Sequence, residues 1–250
     1  MKKFLPFVII AAVFIVAVLF VIALVTGIFF VRSEQSPADS NTNSSPAFNS
    51  STSSTSNSSA PSSSAPSGPV ASGALPPQVQ GEPTAAVTLE EFGDFQCPPC
   101  GGLHPVLKQL EKDYGNARVR LIFRELPLTQ IHKHAMEAAR AAEAAGLQGK
   151  FWEMHDMIYE HQPEWAPMPD AQPIFSGYAR SLDLNLEKWT QDMNSEAVNQ
   201  RIMADAARAD SFGVKGTPTL FINDREVPVE SMTPAGIRAT VDAALQAKSK

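Results

Sequence analysis

A strand-like run, Ala86-Val87-Thr88-Leu89-Glu90-Glu91-Phe92, turns through Gly93-Asp94-Phe95-Gln96 into Cys97-Pro98-Pro99-Cys100, and this junction constrains the chain more than any other feature. The run alternates and carries β-branched residues, as a half-buried strand does. Beyond Cys100, residues Leu103, Val106, Leu107 and Leu110 recur at helical spacing as far as Tyr114. Residues 118–123 then read as a second strand, so the three pieces form a βαβ unit with a parallel pair and a right-handed crossover. Cys97 thereby falls at a helix N-terminus, where unpaired backbone N–H groups and the helix dipole favour an anion.

Two cysteines are all that the 250 residues contain. A disulfide-stapled scaffold is therefore excluded, and a four-thiolate zinc site would lack half its ligands. The pair is a redox centre, half a metal site or incidental. A helix-start position can lower a cysteine pKa from about 8.5 into the range of roughly 3.5 to 7.5, which makes Cys97 the expected nucleophile. Cys100, one turn inward, would resolve a mixed disulfide. A net charge of -6, a pI near 5.4 and the lack of any Lys/Arg block give no footprint for a phosphate backbone. Nucleic acid is not an expected partner.

Composition divides the chain into three segments. Residues 4–31 are uncharged and apolar, preceded by Lys2 and Lys3 and closed by Arg32. That length suits a membrane span of about 20 residues better than the shorter apolar core of a cleaved signal peptide. Residues 1–32 therefore read as an uncleaved anchor, with its N-terminus in the cytoplasm and everything after Arg32 outside. Residues 33–82 are dominated by Ser, Thr, Asn, Pro and Ala, and read as a disordered linker spanning on the order of 35 to 40 Å. Sequon matches at Asn43, Asn49 and Asn57 carry little weight in so Ser/Asn-rich a stretch. Residues 83–250 have the globular pattern.

Within that last segment, residues 129–212 read as a helical insertion, with an Ala-rich helix over 135–147 and proline-rich punctuation at 163–173. The sheet resumes at 218–222, turns at Asn223-Asp224 and continues through Val227-Pro228-Val229. A final helix over 233–247 opens with a Thr233 cap and Pro234 at its first position. Trp152, Trp165 and Trp189 are expected in the core or as loop anchors. His132, His134, His155 and His161 show no metal-ligand spacing. His104 follows Cys100 by one turn; a metal reading with the cysteines competes there with a packing histidine, which is preferred.

The combination resembles the thioredoxin superfamily, and within it the DsbA-like branch of extracytoplasmic disulfide oxidoreductases. Residues 92–100 have that family's strand, turn and motif. Glu91 stands six positions before Cys97, where members keep a buried acid, and Pro105 matches their helix-kinking proline. Gly216-Thr217-Pro218-Thr219 matches the loop whose proline is cis and faces the active cysteines. The resemblance covers about residues 83–247 and implies an α/β thioredoxin fold with a helical insertion.

It also implies roles. Cys97 and Cys100 are the catalytic pair, and Glu91 accepts the Cys100 proton, unless it is an exposed strand acid like its neighbour Glu90. Thr217 and Pro218 meet an extended substrate chain, and Phe95, Pro98 and Pro99 line the substrate surface. The expected activity is donation of the Cys97–Cys100 disulfide to exported cysteine-containing proteins by a monomer, with a membrane partner that resets the pair. No metal and no cofactor beyond that disulfide is implied. A reductase or isomerase, or a non-catalytic metal-binding or client-binding module, are the alternatives. One departure matters: DsbA-like oxidants commonly have histidine before the second cysteine, where this chain has Pro99. Two prolines remove two N–H donors from the Cys97 thiolate, which predicts a potential between the extremes of roughly -120 and -270 mV.

Overall fold

The computed structural model describes residues 70–248. The expected anchor and most of the expected linker lie outside the described residues. Among the described residues, no helix is long and apolar enough to cross a membrane.

Five strands form one sheet in the order β1 (Gln78–Gln80), β3 (Val119–Glu125), β2 (Val87–Gly93), β4 (Thr219–Ile222) and β5 (Arg225–Glu226). β2 runs parallel to β3, and the pairs β1–β3, β2–β4 and β4–β5 are antiparallel. Helix α1 (Pro98–Tyr114) makes the crossover between β2 and β3. The period-two side-chain alternation separates the two faces of the sheet. Val87, Leu89, Val119, Leu121, Leu220 and Ile222 pack against Leu103, Leu107 and Leu110 of α1 and against Ile237 and Val241 of α8 (Pro234–Lys248). On the other face, Phe92 and Phe221 pack against Ala209 and Phe212 of α7 (Glu196–Phe212).

Between β3 and β4 lie α2 (Ala135–Gly146), α3 (Phe151–Glu160), α4 (Gln162–Trp165), α5 (Gln172–Ser181), α6 (Leu186–Met193) and α7. The small residues of α2, among them Ala138, Ala141, Ala142 and Ala145, are fully buried and let neighbouring helices approach closely. Trp165 and Trp189 are fully buried in this second core, and each indole N–H finds a carbonyl, on Ile158 and Ala141 respectively. Phe95, Cys97, Cys100 and Phe123 belong to the same cluster. The cysteine pair thus lies at the seam between sheet and insertion.

Three expectations need correction. The linker expected to run to residue 82 is folded from about residue 71: β1 pairs with β3, and Ala74 is buried. Its order comes from polar partners distant in sequence rather than from an apolar pattern. Arg124 donates to the Ala74 carbonyl at 3.1 Å, Arg208 to that of Ala71 at 2.8 Å, and Arg201 to that of Pro76 at 3.0 Å. The strand expected at Val227-Pro228-Val229 is instead Arg225–Glu226, because Pro228 has no N–H to extend the ladder, and Val229 enters a short 3-10 turn. Glu90 is not an exposed acid. It lies buried against the guanidinium groups of Arg124 and Arg208, each with a nitrogen 2.7 Å from its Oε1. Despite burial, these two cations hold its carboxyl below the usual range.

Candidate active site

β2 delivers the chain into the buried turn that precedes the cysteines. Asp94, at its start, is fully buried and organises that turn: its carboxylate accepts the backbone N–H of Gln96 at 2.7 Å and of Leu128 at 2.8 Å, and contacts His132 Nδ1 at 2.7 Å. Cys97 is the N-cap residue of α1, with Pro98 and Pro99 in its first turn and both exposed. Proline at these positions forfeits only N–H groups that no helical carbonyl would have accepted.

The two sulfurs are unequal. The Cys97 thiol donates to the carbonyl of Thr217 at 3.4 Å, and the Thr217–Pro218 peptide bond is cis. Thr217 Oγ1 has no hydrogen-bond partner in this dithiol form, so its O–H is free to turn to a thiolate. The Cys100 thiol, then the Thr217 hydroxyl and the Cys100 backbone N–H, outweigh partial burial and lower the Cys97 pKa to about 6. With both proline N–H groups absent, the donors come from Cys100 and Thr217. Cys100 is fully buried, and burial, the neighbouring Cys97 and Glu91 push its pKa up.

Glu91 points from β2 into the apolar face of the sheet, where it is 1% exposed and its Oε1 has no partner. Burial first, and the charge of Cys97 second, raise its pKa to about 8. Near neutral pH it is a protonated acid, close enough to Cys100 for its ionised form to raise that thiol's pKa.

Beside Cys97, a groove of about 840 Å³ runs between α1 and the cis-proline loop, lined among others by Pro99, Leu103, Val106, Thr217, Pro218 and Met232. Pro99, Thr217 and Pro218, the residues expected to meet a substrate, all line this groove. Pro98 lies on the other side, in a second groove with His104, Tyr159 and Gln162. Phe95 does not line any such surface. It is 1% exposed, with its ring centroid 4.8 Å from that of Tyr159 and 5.2 Å from that of Phe123. The turn folds this ring inward because burying an aromatic outweighs presenting it to solvent.

His104 turns toward α3, where its Nε2 lies 3.0 Å from Asp156 Oδ1 and its ring stacks on Tyr159. His155 Nδ1 approaches the same oxygen at 3.0 Å, and Lys108 pairs with the other. His104, His155 and Asp156 are close enough together to hold a cation. The Lys108 ammonium already balances that carboxylate, and the cluster reads as an ion pair with two imidazole donors.

Sequence reasoning missed three residues that hold the turn: Asp94, Gln96 and Gln162. Gln96 donates to the Ala166 carbonyl at 2.9 Å and accepts from the His134 N–H at 2.5 Å. Gln162 Nε2 donates to the carbonyls of Phe95 at 2.6 Å and Cys97 at 2.9 Å. The local signal for Gln162 was Gly101, in a helix interior where glycine is costly.

A family profile described as thioredoxin matches residues 75–243. Among solved structures, a thioredoxin-like oxidoreductase from Silicibacter pomeroyi DSS-3 is 30% identical, with 68% of this chain and 92% of that one covered at a TM-score of 0.56. BdbD from Bacillus subtilis is 23% identical, with 71% and 98% covered at a TM-score of 0.60. The thiol-disulfide exchange protein alpha-DsbA2 from Wolbachia pipientis is 20% identical, with 68% and 87% covered at 0.56. These last two likenesses are of fold. Among curated proteins, the Na(+)/H(+) antiporter NhaA 1 of Salinispora arenicola is 44% identical over 147 residues, 59% of this chain but 22% of the antiporter. NhaA 3 of Salinispora tropica is 40% identical over 172 residues, 67% of this chain and 25% of the antiporter. The chain thus spans a quarter or less of the length of these curated relatives, and they share one segment with it. The profile match across most of the chain, on a thioredoxin sheet that carries a helical insertion, places the chain in the thioredoxin family.

Proposed function

We infer that the chain is a thiol-disulfide oxidoreductase of the extracytoplasmic space, which donates the Cys97–Cys100 disulfide to exported cysteine-containing proteins. The inequality of the two sulfurs carries this reading. Cys97 is the acidic thiol beside an open groove, and Cys100 is the buried thiol of raised pKa. In oxidised form, the client thiolate attacks Cys97, and Cys100 leaves as thiolate and takes a proton. A second client thiolate then displaces Cys97, whose low pKa makes it the better leaving group. Two electrons pass from the client dithiol to the pair; of its two protons one ends on Cys100 and, above the Cys97 pKa, the other goes to solvent, with no other cofactor.

Glu91 supplies and removes the Cys100 proton. Thr217 and Pro218 offer backbone to an extended client chain, as in β-strand addition, with Pro98 and Pro99 flanking it. A membrane redox partner resets the pair. Residues 4–31 tether the domain through the linker as a single-pass anchor, and the antiporters that share its sequence accord with work at a membrane. The folded part, from about residue 71, acts as a monomer.

Mixing the oxidised chain with a reduced, unfolded client that has two cysteines tests the reading. One client disulfide is expected per chain, and none from Cys97→Ser. Transfer that survives Cys97→Ser would sink the reading. Thiol alkylation in cells tests direction: a mostly oxidised pair supports donation, and a mostly reduced one makes the chain a reductase or isomerase.

A further inference from the structure

Gln162 opens α4 in the helical insertion, yet its side chain serves the turn that carries the nucleophile. It is 8% exposed, and its carboxamide nitrogen reaches the carbonyls of both Phe95 and Cys97. A carboxamide has two N–H donors, and both are committed to this turn. The Cys97 carbonyl also accepts the Gly101 N–H at 3.1 Å, the first bond of the active-site helix. Gln162 therefore grips the atom from which α1 begins.

The sequence yields space to this contact. A Cβ at Gly101 would lie 2.6 Å from Gln162 Oε1, whereas one at the adjacent Gly102 would meet nothing within 4 Å. Glycine inside a helix is less stable than alanine. At position 101 the helix gives up that stability where the glutamine needs room. Gln96 fastens the same turn to the insertion from its other side, through Ala166 and His134.

We propose that Gln162 is a positioning residue for thiol-disulfide exchange, which holds the Cys97 carbonyl and the first turn of α1 in the geometry that sets the reactivity of the Cys97 sulfur. This rests on the oxidoreductase reading. The physical link is short. The Cys97 carbonyl oxygen carries partial negative charge on the residue that must also bear the thiolate. Two donors drawing on that oxygen reduce its repulsion of the sulfur and keep the Cys100 N–H directed at it.

The rate of Cys97 alkylation against pH, read on the full chain, tests the proposal. Gln162→Ala is expected to move the midpoint upward by about half a unit or more, which is a threefold or greater loss of thiolate at low pH. Gly101→Ala is expected to do the same, because the new methyl displaces the carboxamide. The double variant should shift no further than either single one, since both remove the same contact. Should Gln162→Ala fail to fold, Gly101→Ala still decides, as alanine is favoured in a helix. Unmoved midpoints, or shifts that add in the double variant, overturn the proposal. If the unmodified chain transfers no disulfide while the midpoints still shift together, the oxidoreductase reading fails and the positioning contact stands.

Discussion

Replacing Glu91 with glutamine is expected to stabilise the reduced chain by about 3 to 5 kcal/mol between pH 7 and 9. The folded pKa of Glu91 is raised from 4.5 to about 8, chiefly by burial and then by Cys97. Below pH 4.5 the carboxyl is protonated in both states and contributes nothing to pH dependence. As pH rises through that value, the unfolded chain loses the proton while the native one keeps it, so stability falls steadily until the folded pKa is passed. Glutamine is neutral throughout and escapes this loss. Urea unfolding at pH 4, 7 and 9 measures it: the gap between variant and unmodified chain should be small at pH 4 and open toward alkaline pH. A gap that does not change with pH would show that Glu91 is not a buried, protonated acid. The same variant should slow the step in which Cys100 gains or loses a proton, by about a hundredfold.

Cys100→Ala should convert a transient intermediate into a lasting one. Cys97 keeps its groove and its Thr217 neighbour, so it still enters a mixed disulfide, but no second sulfur remains to resolve it. Incubation with a disulfide-bearing client should then accumulate a covalent complex, visible without reductant and abolished by it, where the unmodified chain shows almost none. The pH dependence of trapping adds a second check. The Cys100 thiol is the largest single influence lowering the Cys97 pKa. Its loss should shift the onset of trapping to higher pH. If Cys100→Ala traps no client, or Cys97→Ala traps as well, the assignment of attacking and resolving sulfurs is reversed or wrong.

What could be read in advance was local. The strand into Cys97, the helix out of Cys100, the Ala-rich α2 and the Asn223-Asp224 turn are each written in a few consecutive residues. That turn needs two left-handed residues and has them, at φ of 47° and 62°. The missed features depend on partners far along the chain. β1 has no apolar alternation; arginines at 124, 201 and 208 fasten the segment around it. Glu90 and Glu91 look alike in sequence, but the pleat points one at two guanidinium groups and the other at an apolar face. Phe95 faces inward because Tyr159 and Phe123 form the surface that covers it. Gln162, 65 residues from Cys97, gives no periodic signal.

The pH profile of cysteine alkylation, resolved for the two thiols by peptide mapping, tests the inequality of Cys97 and Cys100 most directly. Cys97 should react with a midpoint near pH 6, while Cys100 stays unmodified across the range in which the fold is intact. Two cysteines that react alike, with midpoints near the ordinary value of about 8.5, would contradict it.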